Sequence, residues 1–332
     1  MKGLRNFIFF SLIASLLAIL TFGCSSNAEG DTVRIAEVTR SIFYAPQYVA
    51  ISEGFFEEED IVIDLTTTWG GDTTMTTLLA NGADVALVGA ETSIYVYAQG
   101  ANDPPINFAA LTQTDGTFLV SREKIENFNW EMLKGSQFLG QRKGGMPQMV
   151  GEHVLKKHGI DPHQDLDLIQ NIDFGNIPSA FASGTSDYVQ LFEPTATQFE
   201  IDGIGHIVAS FGAESGLVPY TGYMAKQSYI DKNGDVLERF TKALYKAQQW
   251  VESSSTTEIA RSIQPFFNDT PIEMIESVVD RYKSQGSYAT SPKIQAEAWE
   301  NLHIIMDQAG ELPMSVDYNT LVNTEIAEKV SK

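Results

Sequence analysis

The stretch LLANGADVALVGAE, residues 78–91, decides the fold because AFASGTSDYVQLFE, residues 180–193, repeats its plan further along the chain. In both stretches a glycine closes a helix, since glycine enters the left-handed conformation of a helix end freely. A strand then begins at an aspartate, and a carboxylate, Glu91 or Glu193, follows just past the end of that strand. Two stretches built alike predict two similar α/β units.

Each of these stretches ends one of two longer sequence copies, residues 33–91 and residues 137–193. In each copy, two further strands alternate with helices before the closing stretch. The predicted strands are Val33–Val38 and Ile61–Leu65 in the first copy, and Gln137–Gly140 and Asp165–Gln170 in the second. Ligands of open α/β sheets bind at the carboxyl ends of the strands. We therefore expect two lobes that face each other across a cleft.

The chain after Glu193 is predicted to be mostly helical. A short strand, Tyr220–Ala225, is expected to return the chain to the first lobe. Apolar residues at three- and four-residue intervals predict a helix over Gly234–Glu252, and further helices are predicted at Pro271–Ser284 and Ser291–Gly310. The predicted organisation is a first lobe of residues 32–120 and 219–332, a second lobe of residues 121–218, and a hinge near Leu119–Ser121 and Leu217–Thr221.

The N-terminus predicts export. A short basic start precedes the uncharged apolar run Phe7–Phe22. This run is shorter than the ~20 residues that a membrane-spanning helix needs. Residues 1–23 are therefore predicted to be a secretory signal peptide.

Cys24 follows the apolar run and a small residue, as the lipidated cysteine of a bacterial lipobox does. The match is incomplete, because Thr21 stands where a lipobox usually has leucine. An ordinary signal cleavage near Ala28 or a short membrane anchor are the alternatives. We expect lipidation at Cys24, with residues 24–31 as a tether; every alternative places the protein outside the cytoplasm.

Composition is that of an acidic globular protein. The 332 residues are 43% hydrophobic, enough for cores in two lobes, and the formal net charge is −21. Such an acidic surface repels nucleic acid, so no nucleic-acid partner is expected. With Cys24 as the single cysteine, no intramolecular disulfide and no cysteine-built metal site are possible. No cofactor and no metal are predicted.

Several stretches of the sequence resemble a known family. Those that carry the resemblance are Phe43–Ala50, Glu53–Phe56, Leu79–Ala86 and Glu193–Pro194. They resemble the substrate-binding lipoproteins of bacterial ABC importers, in the nitrate, sulfonate, taurine and thiamine-pyrimidine superfamily. The stretches Leu111–Ser121 and Gly144–Met149 are similar to the branch that binds thiamine-precursor pyrimidines.

The resemblance implies a type II periplasmic-binding-protein fold, with two discontinuous α/β lobes joined by a hinge. It further implies closure on a small ligand and delivery to a membrane permease with its ATPase. The protein is expected to act as a monomer held at the cell membrane by its lipid anchor. Gln113 lies in the stretch that is similar to the pyrimidine-binding branch, and it is expected to contact ligand.

Candidate ligand-binding residues lie in loops that follow the predicted strands. Gly144, Gly145 and Met146 open a helix, whose first turn has free N–H groups and the positive end of the helix dipole. The equivalent loop of the first copy supplies the guanidinium of Arg40 and the aromatic side chains of Phe43 and Tyr44. A tight turn that never meets a ligand is the alternative for the glycine pair.

Aromatic and acidic side chains complete the predicted site. Trp69 precedes two glycines, so it offers a stacking surface where a flat ligand can approach the backbone. Glu91 and Glu193, at matched positions, could both accept hydrogen bonds from the amino groups of one ligand. Tyr188 is expected either to stack on the ligand or to pack inside the lobe.

These residue types favour a heteroaromatic ligand with exocyclic amines, such as an aminopyrimidine. An anion would require helix N-termini together with arginine, and acceptor carboxylates would repel it. A nitrate-, sulfonate- or taurine-type anion remains the alternative.

An enzyme that makes the thiamine pyrimidine is the remaining alternative. The related branch of enzymes relies on a cysteine-rich motif and a reactive histidine, whereas the five histidines here are scattered. His153 and His158 are five residues apart, a spacing that does not place metal ligands on one helix face. We therefore expect a binding protein without catalytic residues.

Overall fold

Ten β-strands form two five-stranded sheets in the computed structural model, which describes residues 30–331. The strands are β1 Asp31–Glu37, β2 Ile61–Thr67, β3 Val85–Val88, β4 Pro105–Thr112, β5 Thr117–Ser121, β6 Gln137–Leu139, β7 Asp167–Ile169, β8 Tyr188–Phe192, β9 His206–Ser210 and β10 Thr221–Lys226. The first sheet has the order β2-β1-β3-β10-β4, and the second has the order β7-β6-β8-β5-β9.

The two sheets share one plan of strand pairing. In the first, β1 pairs in parallel with β2 and β3, while β10 is antiparallel to β3 and β4. In the second, β6 pairs in parallel with β7 and β8, while β5 is antiparallel to β8 and β9. The repeat seen in the sequence is therefore a repeat of structure, with one antiparallel strand next to the edge strand of each sheet.

The chain crosses from the first sheet to the second at residues 113–116 and returns at residues 211–220. The predicted hinge segment Leu119–Ser121 instead lies inside β5, which pairs with β8 along its whole length. The crossing comes earlier than predicted because the carboxylate of Asp115 accepts a hydrogen bond from the N–H of Thr117 at 2.6 Å, which fixes the turn before β5. The assignment of the remaining residues to two lobes stays a prediction.

Fourteen α-helices accompany the sheets within the described residues. They are α1 Ala45–Ser52, α2 Gly71–Leu79, α3 Glu91–Ala98, α4 Met146–Lys157, α5 Ile177–Ala182, α6 Thr195–Ile201, α7 Phe211–Glu214, α8 Gln227–Lys232, α9 Gly234–Ser253, α10 Thr256–Ile263, α11 Ile272–Ser284, α12 Ala296–Gln308, α13 Tyr318–Leu321 and α14 Glu325–Val330. The predictions for α9 and α11 are confirmed to within one residue at each end.

The helix α12 begins at Ala296 rather than at the predicted Ser291, because the preceding backbone pairs with the edge of β4. The N–H of Ala110 donates to the carbonyl of Pro292 at 2.7 Å. Near by, the N–H of Ala289 donates to a carbonyl of β4 at 3.0 Å. These residues therefore extend the first sheet instead of starting a helix.

Helix α9 packs on the first sheet through a fully buried aromatic residue, Phe240. The centroid of its ring lies 5.0 Å from that of Phe56 and 5.1 Å from that of Tyr223 in β10. Removing a buried phenylalanine side chain typically lowers the free energy of unfolding by about 3–5 kcal/mol. This contact therefore holds the tail helices against β10.

The N-terminal predictions fall mostly outside the described residues. This applies to the signal peptide of residues 1–23 and to the lipidation site Cys24. The predicted tether of residues 24–31 is too long by one residue, because Asp31 already pairs with Ile61 in the first sheet. Across residues 30–331, no helix has both the length and the apolar character needed to cross a membrane.

Candidate ligand-binding cavity

A cavity of about 480 Å³ lies where the strands of both sheets end. Its lining follows the carboxyl ends of β1, β2 and β3 on one side, and the carboxyl ends of β6, β7 and β8 on the other. Tyr220 and Thr221 complete it, at the start of the antiparallel strand β10. Small-molecule sites typically have volumes of about 300–1,000 Å³, so the cavity suits a small ligand.

The structure brings most of the predicted site residues to this cavity but not all of them. Those that line it are Phe43, Tyr44, Trp69, Glu91, Gly144, Gly145 and Met146. Those outside its lining are Arg40, Gln113, Tyr188 and Glu193. Contact with a ligand stays a prediction for each of them.

Glu91 is a buried carboxylate at the cavity wall. It is the first residue of α3, and 5% of its surface is exposed. Its Oε2 atom is buried without a hydrogen-bond partner among the described residues. Burial raises the pKa of Glu91 to about 7, while the backbone N–H groups of Glu91 itself and of Met146 act in the opposite direction. A buried acceptor without a partner is unfavourable, so this oxygen is suited to a donor on a ligand.

The N-terminus of α4 approaches Glu91 at the cavity wall. Gly144 has φ +84°, a conformation that glycine adopts without strain. Gly145 is the N-cap residue of α4 and has no side chain that could bond to the first N–H groups of the helix. The N–H of Gly144 donates a hydrogen bond to the side-chain oxygen of Gln148 at 3.0 Å. The N–H of Met146 instead interacts with Glu91. The glycine pair therefore brings the positive end of α4 to the cavity.

Aromatic side chains form the rest of the wall. The ring of Phe192 lies 6.3 Å from that of Phe43 and 5.8 Å from that of Phe174. Trp69 is 69% exposed at the cavity and has φ +58°, which is uncommon for a residue with a side chain. Strained backbone clusters at functional sites, so the conformation of Trp69 supports a role in binding.

Charged residues at the cavity rim were missed by the sequence analysis. Arg142 lies between two carboxylates, 3.4 Å from Asp72 and 3.9 Å from Asp173. Lys143 follows it, and all four side chains are exposed. Their signal in the sequence was the position of Arg142 and Lys143 directly before the glycine pair. Phe174 and Phe192 were missed as well.

Glu193 lies outside the cavity lining and is engaged by the helix that follows it and by Arg281. Its carboxylate accepts hydrogen bonds from the N–H of Thr197 at 2.8 Å and from the Thr197 hydroxyl at 2.9 Å. The Nε atom of Arg281 lies 3.0 Å from the same carboxylate. Burial raises the pKa of Glu193, and the charge of Arg281 opposes that increase. The expected pairing of Glu91 with Glu193 around one ligand is therefore not found, because Glu193 caps α6.

The other three predicted residues also have partners elsewhere. The Nε atom of Arg40 donates to Glu37 at 2.8 Å, and the side-chain amide of Gln113 donates to the carbonyl of Gly286 at 3.0 Å. Tyr188 begins β8, at the opposite end of that strand from the cavity, and is 8% exposed. The packing role weighed for Tyr188 therefore fits its position better than stacking on a ligand.

Two sheets of this topology, with a ligand-sized cavity between their strand ends, define the type II periplasmic-binding-protein fold. The chain belongs to the NMT1-like family, whose model matches residues 27–264. The predicted fold class is thereby confirmed, and the protein is a binding protein rather than an enzyme.

This chain is similar to several proteins that are named as binding proteins. It is 62% identical over 323 residues to the "Putative binding protein YtlA" of Bacillus subtilis (strain 168), covering 97% of each chain. It is 23% identical over 257 residues to the formylaminopyrimidine-binding protein of Halalkalibacterium halodurans, covering 73% of this chain and 74% of that one. The alkanesulfonate-binding protein SsuA of Xanthomonas axonopodis pv. citri has a similar structure, with a TM-score of 0.72 and 16% identity over 89% of this chain and 99% of that one.

Proposed function

We propose that this protein is the extracytoplasmic solute-binding lipoprotein of an ABC importer and captures a small heteroaromatic with exocyclic amines. A thiamine-precursor aminopyrimidine is the favoured ligand. The observation that carries this proposal is the buried Oε2 atom of Glu91, which has no partner among the described residues and lies at the wall of a cavity. An amino group of the ligand would donate to this oxygen.

The rest of the cavity suits a flat ring. Trp69 and Phe174 present aromatic side chains from opposite sides of the cavity, in the loops after β2 and β7. Aromatic rings stack in offset or edge-to-face arrangements, each contributing about 0.5–1.5 kcal/mol beyond the area that they bury. The similarity to a formylaminopyrimidine-binding protein supports the same class of ligand.

An alkanesulfonate, taurine or nitrate anion is the second candidate. It is favoured by the positive end of α4 and by Arg142 and Lys143 at the rim. The carboxylate of Glu91 argues against it, because a second negative charge in a partly dry cavity is repelled. The aminopyrimidine is therefore preferred.

The importer role rests on the family resemblance and on the fold. Cys24 would hold the protein at the outer face of the membrane, and the loaded protein would pass its ligand to the permease, which is driven by the ATPase. Replacing Cys24 by alanine should leave the protein unprocessed or released, with ligand binding unchanged. Recovery of the unaltered protein wholly in the culture medium would contradict the anchor.

A thermal-shift screen of residues 25–332 tests the ligand. A ligand that binds the native state alone raises the melting temperature. The panel should contain aminopyrimidines, alkanesulfonates, nitrate, amino acids and flavins. We expect aminopyrimidines to give the largest shift, and a larger shift with an alkanesulfonate would overturn the preferred ligand in favour of the second candidate.

A further inference from the structure

The N-termini of two helices meet at the carboxylate of Glu91. The residue opens α3 after the first sheet, and the start of α4 approaches it from the second sheet. The N–H groups of both Glu91 and Met146 interact with the carboxylate. A helix N-terminus attracts anions because its N–H groups are free and its dipole is positive there. Here the carboxylate of Glu91 occupies the position in which a helix N-terminus would bind an anion.

The carboxylate also has a free oxygen at the cavity wall, next to Gly89. Its Oε2 atom is buried and has no partner among the described residues, and the residue lines the cavity wall. We propose that Glu91 determines specificity by standing in for a ligand anion at the start of α4, so that anionic solutes are excluded. This inference deepens the proposed function, on which it rests for the preference for amines.

Gly89 gives the carboxylate its position. A Cβ atom at residue 89 would overlap the Oε2 atom of Glu91. Gly89 does not have a positive φ, so alanine is compatible with its backbone. The glycine is therefore required for space alone. Replacing it by alanine should displace the carboxylate while keeping its charge in the protein.

Positive groups remain close by once Glu91 is neutralised. Arg142 and Lys143 lie at the rim beside the start of α4, and their aspartate neighbours are exposed. Exposed charges interact weakly with one another, so these cations can reorient toward an anion in the cavity. Neutralising Glu91 therefore leaves a helix N-terminus and two cations, which together make an anion site.

The test measures binding of methanesulfonate and inorganic sulfate by calorimetry at pH 8. We expect the unaltered protein to bind these anions only weakly, whereas the variants Glu91→Gln and Glu91→Ala should bind them with at least tenfold higher affinity. Glu193→Gln is the matched control, because Glu193 is also a buried carboxylate at a helix start but lies outside the cavity lining. It should gain nothing. Gly89→Ala should show a partial gain.

A second arm varies the pH and uses the Glu91→Gln variant only as a control. Burial raises the pKa of Glu91 to about 7, so lowering the pH from 8 to 5.5 protonates it and should increase the affinity of the unaltered protein for the same anions. The groups that face Glu91 are Tyr44, Tyr95 and Tyr220, with Asp72, Arg142, Lys143 and Asp173 at the rim. Burial raises the pKa of all three tyrosines, so they stay neutral over this range. Subtracting the pH dependence of anion affinity measured for Glu91→Gln removes the contribution of the charged residues at the rim.

The outcomes separate this inference from the proposed function. Tighter anion binding by the Glu91 variants than by the unaltered protein supports the inference, whatever the natural ligand is. Absence of any gain in folded variants and at pH 5.5 overturns it, as does strong anion binding by the unaltered protein at pH 8. Failure of the unaltered protein to bind an aminopyrimidine contradicts the proposed function instead.

Discussion

The hydroxyl of Tyr95 donates a hydrogen bond to the backbone carbonyl of Gly144 at 3.2 Å. Tyr95 belongs to α3, which follows the first sheet, and Gly144 precedes α4 in the second. The bond therefore joins the two sides of the cavity beside Glu91. If the two lobes close on a ligand as predicted, closure would make this contact and opening would break it.

Replacing Tyr95 by phenylalanine tests this contact. A neutral hydrogen bond contributes about 0.5–1.5 kcal/mol, so ligand affinity should fall by roughly twofold to tenfold. Small-angle scattering should show a larger radius of gyration for the ligand-free variant. Equal radii and equal affinities would show that the bond does not hold the cavity closed.

Replacing Glu91 by glutamine should weaken aminopyrimidine binding. A charge-assisted hydrogen bond contributes about 1.5–3 kcal/mol, so the loss should be roughly tenfold to a hundredfold. Glu193→Gln should leave the affinity nearly unchanged, because Glu193 is engaged by Thr197 and Arg281. Calorimetric titration of both variants measures the difference. A larger effect at Glu193 would restore the original prediction that it contacts the ligand.

The burial of Glu91 predicts that stability depends on pH. Its pKa is raised from 4.5 to about 7 in the folded protein, so the folded state holds a proton that the unfolded state has released. Stability should therefore fall as the pH rises from about 4.5 to about 7, by about 3 kcal/mol at most, and then level off. Burial likewise raises the pKa of Asp115 to about 6 and contributes in the same direction.

Urea denaturation of the ligand-free protein at pH 5 and pH 8 measures this effect. The Glu91→Gln variant should show a smaller difference between the two pH values, since the remaining part belongs to Asp115 and other groups. The same difference in both proteins would mean that Glu91 ionises normally in the folded state.

Arg142 distinguishes the two ligand classes. Its contacts with Asp72 and Asp173 are exposed and longer than 3 Å, so Arg142→Ala should change the free energy of unfolding by less than about 1 kcal/mol. Aminopyrimidine affinity should change little, whereas an anion ligand would lose a charged partner. A tenfold or larger loss of aminopyrimidine affinity would mean that the ligand carries negative charge near the rim.

The backbone of Trp69 predicts that two substitutions weaken binding alike but differ in stability. Both Trp69→Ala and Trp69→Gly remove the ring, so each should weaken binding through lost stacking. Only glycine relieves the left-handed conformation at φ +58°, so it should be more stable than alanine by about 1 kcal/mol. Thermal denaturation and calorimetry measure the two quantities. Equal stability of the two variants would show that residue 69 is not strained.

The fold could be predicted because its signals are local. Glycines at helix ends and aspartates at strand starts recur in both copies, and the strand pairing repeats accordingly. Glu91, Trp69 and the glycine pair could also be placed at the cavity, since each directly follows a strand or precedes a helix. These positions depend on neighbouring residues alone.

Glu193 could not be excluded from the cavity by such reasoning. Its environment is set by Arg281, which lies on α11 far along the chain, and by Thr197 in the next helix. Phe192 is another case, because its ring meets Phe43 of the first copy and Phe174 of the second. Contacts with distant residues, Arg281 for Glu193 and Phe43 for Phe192, help to decide both positions, and no local pattern signals those contacts.

The position of β10 has a consequence for the order in which the sheets form. The five strands of the second sheet lie within residues 117–210, so all of them are present once the growing chain includes residue 210. The first sheet has β10 between β3 and β4, and it must wait for residue 226. Its early strands therefore stay incompletely paired while the second sheet already can fold, and the cavity takes shape last.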